Sequence, residues 1–160
     1  ALLQRDGDVV DVDGVSNLEF GLPPGSYHVA VIHRNHLPVM TKDPLALGSG
    51  TVVDFTSPAL VMFGTEARRS VTGTFPAHVL WSGDVNADNV LRYVGEANDR
   101  DPILFSIGGT APTNTISGYR SEDVNLDGVV RYVGGANDRD PILLNIGGSA
   151  PTNVRMGQLP

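Results

Sequence analysis

At 160 residues and 41% hydrophobic content, the chain is long enough for one ordinary domain or two small ones with packed cores, which excludes a disordered tail. A formal charge of −7 with a pI near 4.8 repels a phosphate backbone, so nucleic-acid binding is not expected. The absence of cysteine excludes disulfides and thiolate metal sites, and no apolar run approaches the roughly 18 residues that would cross a membrane.

The opening residues, ALLQRDGDVV, lack the basic end and apolar run of a signal peptide, so a secreted protein would carry its signal upstream of them. From there to about residue 78, apolar and polar residues alternate between turn signals, as in Asp8-Val9-Val10-Asp11-Val12-Asp13-Gly14 and Tyr27-His28-Val29-Ala30-Val31-Ile32-His33. Strands are also expected at 1–4, 17–20, 51–55 and 60–63, with turns at Asp6-Gly7, Asp13-Gly14 and Pro23-Pro24-Gly25. Residues 67–74 fit no single pattern. Asp6-Gly7-Asp8 and Asp11-x-Asp13-Gly14 read as hairpin turns in preference to a further cation site.

The order DG turn, Leu18-Glu19-Phe20 strand, Leu22-Pro23-Pro24-Gly25 turn and Tyr27-led strand resembles the prealbumin-like or Cna-B-like modules of bacterial secreted proteins. That resemblance implies an antiparallel, Ig-like β-sandwich over residues 1–78. Such modules begin with one or two further strands, and a sheet short of its first strand would present an edge for a neighbouring chain to fill.

His33-Arg34-Asn35-His36 lacks a third ligand for zinc and reads as a polar loop after a strand. No serine lies in a Gly-x-Ser-x-Gly elbow, and no acid/base pair converges in sequence, so the chain is not expected to be an enzyme.

After Gly83 the chain repeats itself. Residues 83–114 realign on 122–153 at a constant offset of 39 without a gap, so each copy is one supersecondary unit and the pair can bury a shared core. Ten of the 18 acidic residues fall in this region. Asp84-x-Asn86-x-Asp88 and Asp123-x-Asn125-x-Asp127 place oxygen side chains at alternate positions of a tight loop, as at positions one, three and five of an EF-hand loop. The seventh-position carbonyls would come from Val90 and Val129, with Asn89 and Gly128 making the turn.

The twelfth position, where an EF-hand has its bidentate acid, holds Gly95 and Gly134, so the closing ligand must come later. Asp99 or Asp101 in one copy, and Asp138 or Asp140 in the other, are the candidates. Helix-start chemistry follows: Asp101 and Asp140 as N-caps, Pro102 and Pro141 at the first helical position, and stops at Gly108-Gly109 and Gly147-Gly148. Trp81, Tyr93 and Tyr132 are read as core residues in preference to a sugar-binding row.

These features resemble a dockerin: tandem calcium-binding loop-helix units over 79–160. With the sandwich, they imply a C-terminal part of a large bacterial extracellular or cell-surface protein. The fold expectation is therefore mainly β, a sandwich followed by two short dockerin/EF-hand-type units holding two Ca2+ ions. The expected role is structural or adhesive, with protein partners that include copies of itself. A dockerin docking into a cohesin-like receptor, and a carbohydrate-binding or enzyme-appended module, are the alternatives.

Overall fold

Glycine and proline interrupt the chain so often that, among the described residues, no strand exceeds three residues and neither helix exceeds seven. The computed structural model describes residues 1–4, 7–74 and 76–160. It is mainly strands with two short helices, in the order β1 (Leu2–Leu3), β2 (Val9–Val10), β3 (Gly25–Tyr27), β4 (Ala30–Val31), β5 (Val39–Met40), β6 (Leu45–Leu47), β7 (Arg69–Val71) and β8 (Ala77–Val79). There follow β9 (Val90–Arg92), α1 (Arg100–Ser106), β10 (Thr115–Ser117), β11 (Val129–Arg131), α2 (Arg139–Asn145) and β12 (Val154–Met156).

Among the described residues the strands pair antiparallel and in twos: β1 with β2, β3 with β6, β4 with β5, β7 with β8, β9 with β12, and β10 with β11. The expected strand at 17–20 is reduced to one bridge between Asn17 and Val10, because the chain folds back at Phe20–Leu22, where the Leu22 N–H donates to the Phe20 carbonyl. The expected strand at 51–55 is absent, since Asp54 draws the backbone into a turn by accepting from both the N–H and the hydroxyl of Thr56. Residues 61–63 run beside 40–42 through Lys42 N–H to Val61 and Phe63 N–H to Met40, yet only Thr41 and Met62 pair formally. The turn at Asp6-Gly7 includes Asp6, which lies outside the described residues.

The turn at Asp13 behaves as a turn. Its Oδ1 accepts the N–H of Val15 and Ser16, its Oδ2 accepts the Ser16 hydroxyl, and these bonds hold its carboxyl down at about 2.

The helices also differ from expectation. Asp99 and Asp138, not Asp101 and Asp140, occupy the N-cap positions, and neither makes a side-chain cap bond. Pro102 and Pro141 are the third helical residues; their missing N–H still costs nothing, because the first turn has no intrahelical acceptor for it. The glycine stops hold: Gly109 and Gly148 take positive φ, and their N–H groups donate to Leu104 and Leu143.

Three apolar clusters carry the packing. The largest interleaves the two copies, with Val85, Ile103 and Ile107 against Val124, Val130 and Ile142, and with Tyr93 and Tyr132 packed at its margin as core residues. A second joins Leu37 of the first half to Leu91 and Ile146 of the repeats, under Trp81. The third, Val39, Met62 and Ala67, lies within the first half.

The copies also exchange strands. β10, the tail of the first copy, pairs with β11 of the second, while β12, the tail of the second, pairs with β9 of the first. Likewise α1 packs on β11 and α2 on β9.

Candidate metal centre

Each loop folds around its own first aspartate. Asp84 is 3% exposed, and its two oxygens accept the N–H of Asp88 and Asn89 at 3.1 Å each. The Asn86 carboxamide oxygen accepts the Asp88 N–H at 2.9 Å, and Asp88 accepts the Val90 N–H at 2.8 Å. These nested Asx turns curl the backbone through two left-handed residues, Ala87 at φ 59° and Asn89 at φ 63°. The second copy repeats them through Asp123, Asn125 and Asp127, with Leu126 at φ 62° and Gly128 at φ 86°. Asn89 thus takes the conformation that Gly128 takes at no steric cost.

Val90 and Val129 begin β9 and β11. The Gly157 N–H donates to the Asn89 carbonyl, which makes Asn89 and Gly157 a hydrogen-bonded pair and Val90 with Met156 a non-hydrogen-bonded one. The Val90 carbonyl therefore points away from β12, to the side where the Val90 N–H meets Asp88 and the Arg92 N–H meets Asp99. Val129 is placed alike by the bond from Gly118 N–H to Gly128.

Of each pair of closing candidates, one turns inward. Asp99 is fully buried; its Oδ1 accepts the N–H of Val85 at 2.8 Å and of Asn86 at 3.4 Å, and its Oδ2 accepts the Arg92 N–H at 2.8 Å. Asp138 does the same with Val124, Asn125 and Arg131. Asp101 and Asp140 lie outside this arrangement, accepting instead from the side chains of Asn98 and Asn137 and pairing with Arg100 and Arg139. Hydrogen bonds thus join Asp84, Asn86, Asp88 and Val90 within the first loop and tie Asp99 to the backbone of that loop, and they do the same for Asp123, Asn125, Asp127, Val129 and Asp138 in the second copy.

Burial dominates the electrostatics. It pushes the Asp99 carboxyl up to about 7 in spite of the N–H bonds it accepts, and the neighbouring Asp84 raises it further. Asp138 is raised for the same reasons, with Asp123 as its neighbour, and burial also raises Asp84. Among the described residues no Lys, Arg or His forms an ion pair with Asp84 or Asp99. Two carboxylates are therefore held together out of water without a counter-charge, an arrangement that a divalent cation fits.

The donor set also speaks to the kind of ion. Among the described residues no three His, Asp or Glu side chains meet closely enough to hold a metal by themselves, and this includes Asp84, Asp88 and Asp99 in the first copy and Asp123, Asp127 and Asp138 in the second. Each loop instead offers carboxylates, a carboxamide and a main-chain carbonyl, the all-oxygen mixture that suits calcium and not zinc. His33 and His36 do meet, with Nδ1 atoms 2.8 Å apart, but their company is Asn35 Oδ1, with no third imidazole or acid.

A pH dependence follows. An unfolded Asp titrates near 4, so between about pH 4 and 7 folded Asp99 holds a proton that the unfolded chain has lost. Stability from this group is complete below pH 4 and is lost as pH rises through 7. In chelator, urea midpoints are expected to fall from pH 4.5 to 7.5 by an equivalent of roughly 2–4 kcal/mol.

The junction with the first half escaped the sequence reading. Asn35 is fully buried; its side chain donates to the carbonyls of Ser121 and Asp123, and its own carbonyl accepts the N–H of Gly83 and Asp84. It ties the starts of both loops together. Arg34 beside it lies 3.4 Å from Asp123 Oδ2 and stacks on Tyr119 at 3.8 Å. The only sequence signal was the polar run His33 to His36, which periodicity assigns to solvent.

Among the described residues no helix is long and apolar enough to cross a membrane. Compared with protein-family models, curated proteins and solved structures, the chain matches none.

Proposed function

We propose that the chain is an extracellular, calcium-stabilised structural or adhesive module: a sandwich-type first half followed by dockerin-like repeats that hold two Ca2+ ions. One observation carries this reading. Both copies reproduce the same Asp, Asn and Asp loop with a buried Asp bonded back to its backbone at the offset of 39 residues, and among the described residues the buried pair of the first copy, Asp84 with Asp99, has no cationic partner. When bound, the cation would neutralise those carboxylates and fix the loop against the helix that follows.

Assembly with other protein, including copies of itself, is supported by the first half. Among the described residues its strands form two-stranded ribbons that keep unpaired edges, and large apolar side chains such as Val15 (82% exposed) and Val52 (87%) face outward in its loops. A strand donated by a neighbouring subunit would extend such a ribbon, giving head-to-tail fibres. Docking to a cohesin-like receptor is a second reading, favoured by Phe105 and Leu144, exposed at matching positions of α1 and α2.

Calorimetric titration of chelator-stripped protein is expected to register two calcium ions per chain, and electron microscopy is expected to find calcium-dependent filaments. Absence of uptake would remove the calcium reading. Monodisperse single chains at every concentration, with or without calcium, would remove the fibre reading.

A further inference from the structure

The two loops match in the hydrogen bonds made within each copy and in their surface ion pairs, Arg92 with Asp88 and Arg131 with Asp127. Contacts from the first half break the match: Asn35 meets the first loop through its carbonyl and the second through its side chain, and one ion pair is made on the second loop alone. Arg34, from the loop between β4 and β5, brings its guanidinium to Asp123 Oδ2, whereas among the described residues Asp84 meets no cationic side chain. The arginine is held in place by the Tyr119 ring beneath it and by Asn35, its chain neighbour, on the carbonyls of Ser121 and Asp123. Its Nε and Nη1 are buried and have no hydrogen-bond partner, so the guanidinium sits there at a desolvation cost that only the carboxylate and the ring offset.

We infer that Arg34 makes the two calcium sites unequal: the first loop fills first and tightly, while the second carries a built-in competing cation through which calcium is sensed by the first half. The inference rests on the calcium reading above. Its physics is local. A positive charge against a ligand carboxylate lowers the charge that the loop presents to Ca2+, and coupling is reciprocal, so an ion in the second loop loosens the hold of Asp123 on Arg34 to the same degree. The Arg34 side chain would then loosen from Asp123 as the second site fills, while Asn35 and Leu37 keep the loop itself docked on the repeats.

The test is calorimetric titration of the full, chelator-stripped chain with CaCl2, for the wild type, Arg34→Gln and Arg34→Ala. Wild type is expected to give two separable dissociation constants. The double variant Asp123→Asn, Asp127→Asn is expected to retain only the tighter one. Either Arg34 variant is expected to tighten the weaker constant by about tenfold and leave the tighter one unchanged. Circular dichroism of each variant in calcium establishes that it is folded, and Arg34→Gln, which keeps much of the side chain's bulk, stands in if Arg34→Ala is not. Equal constants in the wild type, or two constants that folded Arg34→Gln leaves in place, would overturn the inference while leaving two calcium sites standing. No uptake by wild type would overturn the calcium reading itself.

Discussion

Adding excess chelator to the protein in millimolar calcium is expected to lower its melting temperature by more than about 10 °C. A ligand that binds only the folded chain stabilises it by about 4 kcal/mol per site when present at a thousandfold excess over its dissociation constant. For a chain of this size each kcal/mol is worth roughly 2–4 °C. Two sites filled to that level would exceed 10 °C, even if the second is weaker. The effect is large because the buried pairs Asp84 with Asp99 and Asp123 with Asp138 change sign in the ledger: alone they repel in a poorly solvated setting, and with a cation between them they attract. Scanning calorimetry in calcium and in EGTA decides it. Equal melting temperatures would mean that the turns need no ion.

The second large effect distinguishes two aspartates that sequence alone could not. Asp99→Ala is expected to cost roughly 3–6 kcal/mol in calcium, whereas Asp101→Ala costs below about 1 kcal/mol. Asp99 accepts three backbone N–H groups from the loop and from β9, so its loss orphans buried donors and removes an ion ligand together. Asp101 is about half exposed and, among the described residues, answers only to Asn98 and Arg100. The same contrast is expected for Asp138 against Asp140, and urea unfolding of the four single variants measures it. A cost at Asp101 equal to that at Asp99 would place the closing ligand on the wrong residue.

How far the fold could be read from residues depended on how local its causes are. The turns around Asp84 and Asp123, the left-handed Asn89 and Gly128, and the stops at Gly108-Gly109 and Gly147-Gly148 are decided within a few residues, and the repeat doubled each signal. The inward turn of Asp99 was not legible, because an Asp-Pro pair is a strong cap signal and outranks Asp-Arg-Asp on composition. Its true role depends on Val85 and Arg92, 14 and seven positions away.

The first half was harder still. Alternation around Val9 and Val31 did mark strands, but it cannot say how many partners a strand finds, and here each finds one paired strand, with a single further bridge from Val10 to Asn17. Nor could alternation anticipate Arg68, which donates to the carbonyls of Phe55, Ser57 and Leu60 and thereby wraps the segment between the two expected strands, 51–55 and 60–63, about a guanidinium. Asn35 and Arg34 act across 86 to 89 residues of chain, a separation to which periodicity is blind.

The crossing of the tails, β12 onto β9 and β10 onto β11, has a consequence for any shorter version of the molecule. A fragment carrying a single loop and helix would possess a ribbon strand and a tail, but the tail belongs to its sister's ribbon. Such a fragment could satisfy both only by embracing a second identical fragment, each lending its tail to the other around a twofold axis. The duplicated chain is then, in effect, a homodimer whose halves have been joined end to end. Cutting it between the halves would give up the linkage and its effective concentration while keeping the same set of contacts.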